Sequence, residues 1–112
     1  MSRQSPTFQL TSYVARNGKN YYDEWIESLD RNVRFAVLPQ VKKLAVGLGL
    51  QKNLGEKLWE LKIDEGPGYR VYFVQEGAEV ILLLAGSDKK RQSRTIKLAR
   101  KLILEIEAQK EN

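Results

Sequence analysis

The sequence predicts an α+β fold with an antiparallel sheet of about four strands, an N-terminal helical hairpin and a C-terminal helix. Three β-type runs, at residues 58–63, 69–75 and 79–85, are separated by two short turns. Both turns contain glycine, which adopts the positive φ that tight turns need. Helical periodicity precedes these runs and returns after them. We therefore expect an antiparallel meander whose open end is lined by Lys and Arg side chains.

The composition limits both the architecture and the chemistry. The chain has 112 residues, the usual size of one domain, so residues 1–112 are predicted to form a single domain. Cysteine is absent, which excludes disulfides and thiolate chemistry and indicates a reducing cytoplasm. Histidine is also absent, which removes the usual general base and the commonest metal ligand. Residues 1–6 have no apolar core, so they are not predicted to be a signal peptide.

The N-terminal third reads as one strand followed by one helix. Residues 7–14 alternate loosely between apolar and polar, which predicts a strand, and Asn17 and Gly18 then signal a turn. Apolar residues recur every four positions from Tyr21 to Leu29, which is the pattern of a helix with one apolar stripe. Asn20 or Asn17 could cap this helix.

A second helical pattern covers residues 33–48, but Pro39 lies inside it. Either the helix kinks at Pro39, or it starts near Leu38 with Pro39 as its first residue. One kinked helical hairpin with the preceding helix is the favoured interpretation. Gly47 should end this helix, and residues 51–57 are predicted to be a polar connector and the most mobile loop.

Alternation assigns faces to the strands of the meander. In the first strand Glu60 and Lys62 share one face, opposite the apolar side chains, and in the second strand Arg70 and Tyr72 share a face. The third run is apolar throughout, which is typical of a central strand buried on both faces. After it, Ser87 or Asp88 can cap the closing helix.

Positive charge is concentrated near the C-terminal end of the meander. Between positions 86 and 101 seven basic residues face a single acid, whereas residues 20–30 carry four acids and no base. Such an asymmetry indicates a polyanion bound on one face, and a merely solvated helix face is the open alternative. The seven basic residues are Lys89, Lys90, Arg91, Arg94, Lys97, Arg100 and Lys101.

The available side chains restrict the chemistry to cations and hydroxyls. Nucleophilic triads and zinc sites are excluded without His and Cys, and no carboxylate spacing or phosphate-cradling glycine loop indicates a metal or cofactor. What remains is Lys62 and Arg70 on neighbouring strands, the basic loop 89–91, and Tyr72 nearby. Such cations can bind phosphate, stabilise a phosphorane and, by like-charge crowding, lower the pKa of an amine. These functions suffice to cleave RNA through its own 2′-hydroxyl.

Three motifs carry a family resemblance: L-W-E-L-K-I, G-P-G-Y-R-V-Y-F and L-L-L-A-G-S-D-K-K. With them, nearly all of residues 7–107 resembles the RelE/HigB-like toxins of toxin–antitoxin modules, in the addiction-module killer subgroup of the RelE/ParE superfamily. The resemblance implies a RelE-like fold and a metal-independent, ribosome-dependent mRNA endonuclease that inhibits translation. It also implies a cognate antitoxin, of helix-turn-helix type, with operator DNA bound only through the antitoxin complex. No cofactor and no membrane partner are implied.

The same resemblance assigns catalytic roles residue by residue. Arg70 matches the arginine that contacts the scissile phosphate, and Lys62 matches a lysine used in proton transfer or charge stabilisation. The loop holding Lys90 and Arg91 matches the position of a further catalytic arginine. Two positions depart from the family pattern. Glu60 stands where a second lysine is expected, and Ile96 lies near the position of a tyrosine on the terminal helix.

A second set of residues is predicted to bind RNA without taking part in the chemistry. The set comprises Tyr72, Lys89, Arg94, Lys97 and Lys101. A surface ion pair between Arg70 and Glu60 is an alternative reading of Arg70. Two other functions remain open at this point. One is a ParE-like poison of DNA gyrase without nuclease activity, and the other is a non-catalytic basic module that binds an antitoxin or RNA.

Overall fold

A computed structural model describes residues 7–111 as a five-stranded mixed sheet with helices on both faces. Residues 1–6, for which no signal peptide is predicted, lie outside the described residues. The elements in chain order are β1 (Gln9–Ser12), α1 (Tyr21–Ser28), α2 (Arg31–Lys42), a 3₁₀ turn (Lys43–Val46), β2 (Leu50–Gly55), β3 (Leu58–Ile63), β4 (Tyr69–Glu76), β5 (Val80–Asp88), a second 3₁₀ turn (Lys89–Arg91) and α3 (Gln92–Lys110).

The strand order is β1-β5-β4-β3-β2. The strands β3, β4 and β5 form the antiparallel meander that the sequence predicts, and β2 adds a fourth antiparallel strand that it does not predict. The purely antiparallel sheet of about four strands is corrected in two respects. Residues 7–111 contain five strands, and β1 runs parallel to β5, with Gln9 opposite Val80 and Ser12 opposite Leu83. A parallel pairing needs a long crossover, which the intervening helices and meander provide.

The prediction that residues 51–57 form a polar connector is wrong, because most of these residues belong to the edge strand β2. This strand pairs with β3 and closes a hairpin at Glu56 and Lys57, whose φ values of 51° and 74° are both positive. Two consecutive positive φ values are typical of the type I′ hairpin turn. An edge strand needs only one pairing partner, so polar side chains can stay in water on both of its faces.

The N-terminal helices match the predicted hairpin approximately. Asn20 caps α1, where its Oδ1 accepts a hydrogen bond of 2.9 Å from the backbone N–H of Asp23. Helix α2 runs through Pro39, so the alternative in which a helix begins near Leu38 is wrong. Gly47 ends the following 3₁₀ turn in the left-handed conformation, with φ 73°.

Apolar side chains pack on both faces of the sheet, in agreement with the strand alternation. Helices α1 and α2 cover one face, where Val37 and Val41 meet Leu61 and Val71. Helix α3 covers the other face, where Ala99 and Leu102 belong to the same buried cluster as Tyr72. No helix within residues 7–111 is long and apolar enough to cross a membrane.

Candidate functional site

Three polar residues lie side by side at one end of the sheet. Lys62 of β3 is opposite Arg70 of β4, and Arg70 is opposite Ser87 of β5. Directly opposed residues in antiparallel strands project from the same face. The sequence prediction that Lys62 and Arg70 are neighbours across two strands is therefore confirmed, and Ser87 extends the group. We call Lys62, Arg70 and Ser87 the three-strand row.

Arg70 is buried, although the sequence predicts Lys and Arg side chains that line the open end of the meander. It is 8% exposed, because α3 covers this face of the sheet. Its guanidinium points toward the turn before β4, where Nη1 lies 3.8 Å from the position that a Cβ at Gly68 would occupy. Within residues 7–111, neither Nε nor Nη1 has a hydrogen-bond partner. Buried donors of this kind are rare and are available to an incoming acceptor.

Glu60 connects Arg70 to α3. Its Oε2 lies 3.9 Å from Nε of Arg70 and accepts a hydrogen bond of 3.1 Å from Nε2 of Gln92. The ion pair considered from the sequence therefore exists, but it is a buried pair and not a surface pair. The link to Gln92, which sequence reasoning missed, ties the first turn of α3 to the middle of the sheet.

Tyr72 lies on the predicted face beside Glu60, but its side chain is fully buried. The ring of Tyr72 is therefore not accessible for the predicted contact with RNA in this structure. Burial raises the pKa of Tyr72, and repulsion from the Glu60 carboxylate raises it further. The hydroxyl oxygens of Tyr72 and Ser87 are both buried without a hydrogen-bond partner among residues 7–111. Together with Arg70 and Glu60 they form a polar group enclosed between the sheet and α3.

The basic loop forms the 3₁₀ turn Lys89–Arg91, here called the basic turn. Asp88 caps it, since its Oδ1 accepts from the Arg91 backbone N–H at 3.0 Å and its Oδ2 accepts from Arg91 Nη1 at 2.7 Å. The sequence predicts that Ser87 or Asp88 caps the closing helix, but Asp88 caps the basic turn instead, and Arg91 at the N-cap position of α3 makes no side-chain capping hydrogen bond. Lys89 and Lys90 are exposed and have no ion pair in the described part of the chain.

The predicted stripe of basic residues continues from the basic turn along α3. Its members Lys90, Arg94, Lys97 and Lys101, here called the basic stripe, are all exposed. Lys101 lies about 15 Å along the helix from Arg91, so it is not part of the three-strand row. Arg100 differs from these residues, because its guanidinium donates to the carbonyls of Leu54 and Gly55 at 3.0 and 3.3 Å and holds the β2–β3 turn against α3.

A cleft of about 440 Å³, here called the aromatic cleft, opens at the same end of the sheet. Trp25 and Tyr69 contribute its aromatic side chains, with ring centroids 6.3 Å apart and an interplanar angle of 56°. Sequence reasoning assigned Trp25 to the apolar cover of the sheet, and that packing is present. The available signal for the cleft was Gly86, a glycine directly after an apolar strand run. The lining residues are Trp25, Ser28, Leu29, Asp30, Val33, Tyr69, Gly86, Ser87, Asp88, Arg91 and Thr95.

The site can supply positive charge, hydrogen-bond donors and proton-transfer groups. Its exposed cations are Lys62, Lys89, Lys90 and Arg91, of which Arg91 is paired with Asp88, and its buried donors belong to Arg70. In the range 7–111, no group of three or more Asp, Glu, His or Cys residues could hold a metal ion. Cationic groups of this type bind phosphates and stabilise the charge that develops on them during reaction.

Comparison with known proteins adds two findings. A family model described as phage-derived protein Gp49-like (DUF891) matches residues 24–110. A protein of Haemophilus influenzae, described as uncharacterized, is 36% identical over 88 residues, which cover 76% of this chain and 88% of that protein. The matched range of the family model includes the three-strand row, the basic turn and the aromatic cleft.

Proposed function

Because this chain belongs to the phage-derived Gp49-like family, which is associated with toxin–antitoxin modules, we propose that it is the toxin of such a module. Within that role we propose an endoribonuclease of the RelE/HigB type that cleaves mRNA on the translating ribosome in the cytoplasm. Family membership also implies an antitoxin partner. We propose that this antitoxin is a helix-turn-helix protein and that it alone brings the complex to operator DNA.

The observation that supports cleavage is the position of the three-strand row next to the basic turn. Nη1 of Arg70 and the hydroxyl of Ser87 are buried without a hydrogen-bond partner in the described part of the chain, and Nε of Arg70 faces only the Glu60 carboxylate, 3.9 Å away. Leaving such donors unpaired costs about 1–3 kcal/mol each, so an acceptor that reaches them is bound favourably. A phosphate oxygen is such an acceptor, and Lys62 and the basic turn add the positive charge that it requires.

The proposed reaction uses the RNA as its own nucleophile. The 2′-oxygen attacks the adjacent phosphorus, the P–O5′ bond breaks, and a 2′,3′-cyclic phosphate and a 5′-hydroxyl are formed. Lys62 and Lys90 are the candidates for taking the 2′-proton and returning a proton to the 5′-oxygen. Arg70 and Arg91 would stabilise the negative charge of the phosphorane.

A non-catalytic basic module is the second candidate, and one observation favours it. Arg70 is buried beside Glu60, and Arg91 is paired with Asp88 at 2.7 Å. To bind a phosphate, each arginine would have to leave its carboxylate partner or contact the carboxylate and the phosphate at the same time. In a module that only binds RNA or an antitoxin, these pairs would be structural and the exposed lysines would make the contacts.

The test is expression of the chain without its antitoxin, followed by primer extension on a reporter transcript with and without ribosomes. We expect growth arrest and cuts inside the coding region only when ribosomes are present. Intact mRNA together with lost DNA supercoiling would identify a gyrase poison instead. Intact mRNA with normal supercoiling would support the non-catalytic module.

A further inference from the structure

Apart from Ser87 and Arg91, the residues that line the aromatic cleft have no role in the reaction described above, although the cleft adjoins the three-strand row. We propose that it binds one nucleobase of the RNA substrate and that Asp30 at its rim selects bases that carry an exocyclic amino group. This inference rests on the proposed function, since it names the part of the substrate that the same end of the sheet would recognise. Ser87 links the two sites, because it belongs to the row and also lines the cleft.

The aromatic side chains of the cleft are held in place by the strand beneath them. A Cβ at Gly86 would lie 2.1 Å from Cε3 of Trp25, so only glycine allows the indole to lie directly on β5. Trp25 and Tyr69 are each half-buried, and both contribute surface to the cleft. Aromatic rings that pack against the protein on one face and are accessible on the other commonly stack with the unpaired bases of single-stranded RNA.

Asp30 supplies the free acceptor of the cleft. It occupies the N-cap position of α2, yet its side chain makes no capping hydrogen bond. Across residues 7–111 its carboxylate takes part in no ion pair or side-chain hydrogen bond, and the residue is exposed. The other carboxylate of the cleft, Asp88, already accepts two hydrogen bonds from Arg91. Asp30 is therefore the carboxylate of the cleft lining that is not already engaged by a neighbouring side chain.

A carboxylate acceptor discriminates between bases. Cytosine and adenine carry exocyclic amino donors, whereas uracil has a carbonyl oxygen at the corresponding position. A carboxylate can accept from the amino group but repels the carbonyl oxygen. We therefore expect cytidine nucleotides to bind more tightly than uridine nucleotides, with ring stacking common to both.

The chain provides its own internal control for a binding experiment by NMR. Of its two tryptophans, Trp25 lines the cleft, whereas Trp59 packs against Phe73 at a centroid distance of 6.4 Å and is not part of the cleft lining. The purified full chain, labelled with ¹⁵N, is titrated separately with cytidine 3′-monophosphate, uridine 3′-monophosphate and inorganic phosphate. The indole N–H signals of the two tryptophans report on the cleft and on the control position.

The nucleotides should shift the Trp25 signal and leave the Trp59 signal in place, and inorganic phosphate should shift neither. Cytidine 3′-monophosphate should bind about three- to tenfold more tightly than the uridine nucleotide, as expected for one hydrogen bond to a charged, exposed acceptor. In the Asp30→Asn variant this preference should disappear while the Trp25 shift persists. Nucleotides that shift only the backbone signals of the basic turn, or both indoles equally, would overturn the proposal.

The outcome can be separated from that of the proposed function. If nucleotides shift Trp25 with the expected preference but mRNA stays intact in the ribosome assay, the base site stands and the nuclease assignment fails. If mRNA is cut while Trp25 does not respond and Asp30→Asn leaves the cleavage pattern unchanged, the nuclease assignment stands and the base site is wrong.

Discussion

Nε of Arg70 lies 3.9 Å from Oε2 of Glu60, and the two side chains are only 10% and 7% exposed. The same carboxylate oxygen accepts a hydrogen bond from Gln92 at the start of α3. The arginine that the family resemblance assigns to the scissile phosphate is therefore also part of the contact between the sheet and its covering helix. Substitution of Arg70 should change stability as well as activity.

The first prediction concerns Arg70→Ala. This substitution leaves the Glu60 carboxylate buried without its cation, which should lower the free energy of unfolding by about 3 kcal/mol. Toxicity should be lost as well. Urea denaturation measures the first effect, and a growth assay without antitoxin measures the second.

A double variant separates the two effects. Arg70→Met combined with Glu60→Gln removes both charges at similar volume, and it should recover most of the lost stability because no buried charge stays unpaired. It should remain non-toxic. A stable double variant that kills cells at the wild-type level would show that Arg70 is not needed for activity.

The second prediction concerns Tyr72→Phe. The hydroxyl of Tyr72 is buried beside the Glu60 and Ser87 side chains but makes no hydrogen bond of good geometry within residues 7–111, so its removal should change the free energy of unfolding by less than about 1 kcal/mol at neutral pH. Because the ring is buried, toxicity should be retained. Loss of toxicity in a folded Tyr72→Phe variant would show that the hydroxyl takes part in the activity.

The third prediction concerns stability at alkaline pH. Burial raises the pKa of Tyr22 to about 12 and also raises the pKa of Tyr72, whereas an unfolded tyrosine titrates near 10.0. Above that pH the unfolded chain loses protons that the folded chain retains, so the contribution of the two tyrosines to stability should be constant below about pH 10 and fall as pH rises further. The fall should be shallower in Tyr72→Phe. Urea midpoints between about pH 8 and pH 11 measure it, and identical slopes in the two proteins would contradict it.

The fourth prediction concerns the basic stripe. The double substitution Arg94→Glu and Lys97→Glu should slow the association of the chain with both the antitoxin and ribosomes. Association of the wild-type chain should also slow sharply with added salt, because exposed charges interact only within about 8 Å at physiological ionic strength. Dissociation should change much less. The matched control is Arg31→Glu with Lys42→Glu, an equal charge change at exposed positions of α2 on the opposite face of the sheet. Equal effects of the two pairs in stopped-flow measurements would show that only net charge matters.

The fifth prediction concerns Gly86→Ala. The new Cβ would overlap the Trp25 indole, so the ring must move away from β5, at a cost of about 2 kcal/mol in the free energy of unfolding. Trp25→Leu in the same chain should reduce this cost, because the smaller side chain leaves room for the methyl group. Urea denaturation of the two single variants and the double variant measures this coupling. Additive costs would show that the indole is not the obstacle.

The meander was predictable because its pattern is strictly local. In β3, and in β4 as far as Phe73, every second residue is apolar and packs on the α1–α2 side, so the alternation gave both the strands and their faces. The same is true of the apolar stripe of α1 and its cap at Asn20. Glu60 and Arg70 were placed on one face correctly for the same reason.

The features that sequence reasoning missed depend on contacts between distant segments. Five of the six residues of β2 are exposed, so its strand conformation comes from pairing with β3 and has no apolar signal of its own. The burial of Arg70 depends on α3 crossing the sheet above it, which the alternation of β4 does not encode. The parallel pairing of β1 with β5 likewise joins segments that share no local pattern.

Because β1 pairs with β5, the sheet cannot be completed until β5 has been synthesised. β1 leaves the ribosome early, but its partner segment Val80–Leu83 is made after both N-terminal helices and most of the meander. The three-strand row is complete only once Ser87 has emerged, and α3, which encloses Arg70, follows last. The residues of the proposed site are therefore brought together only after nearly all of the chain has been synthesised.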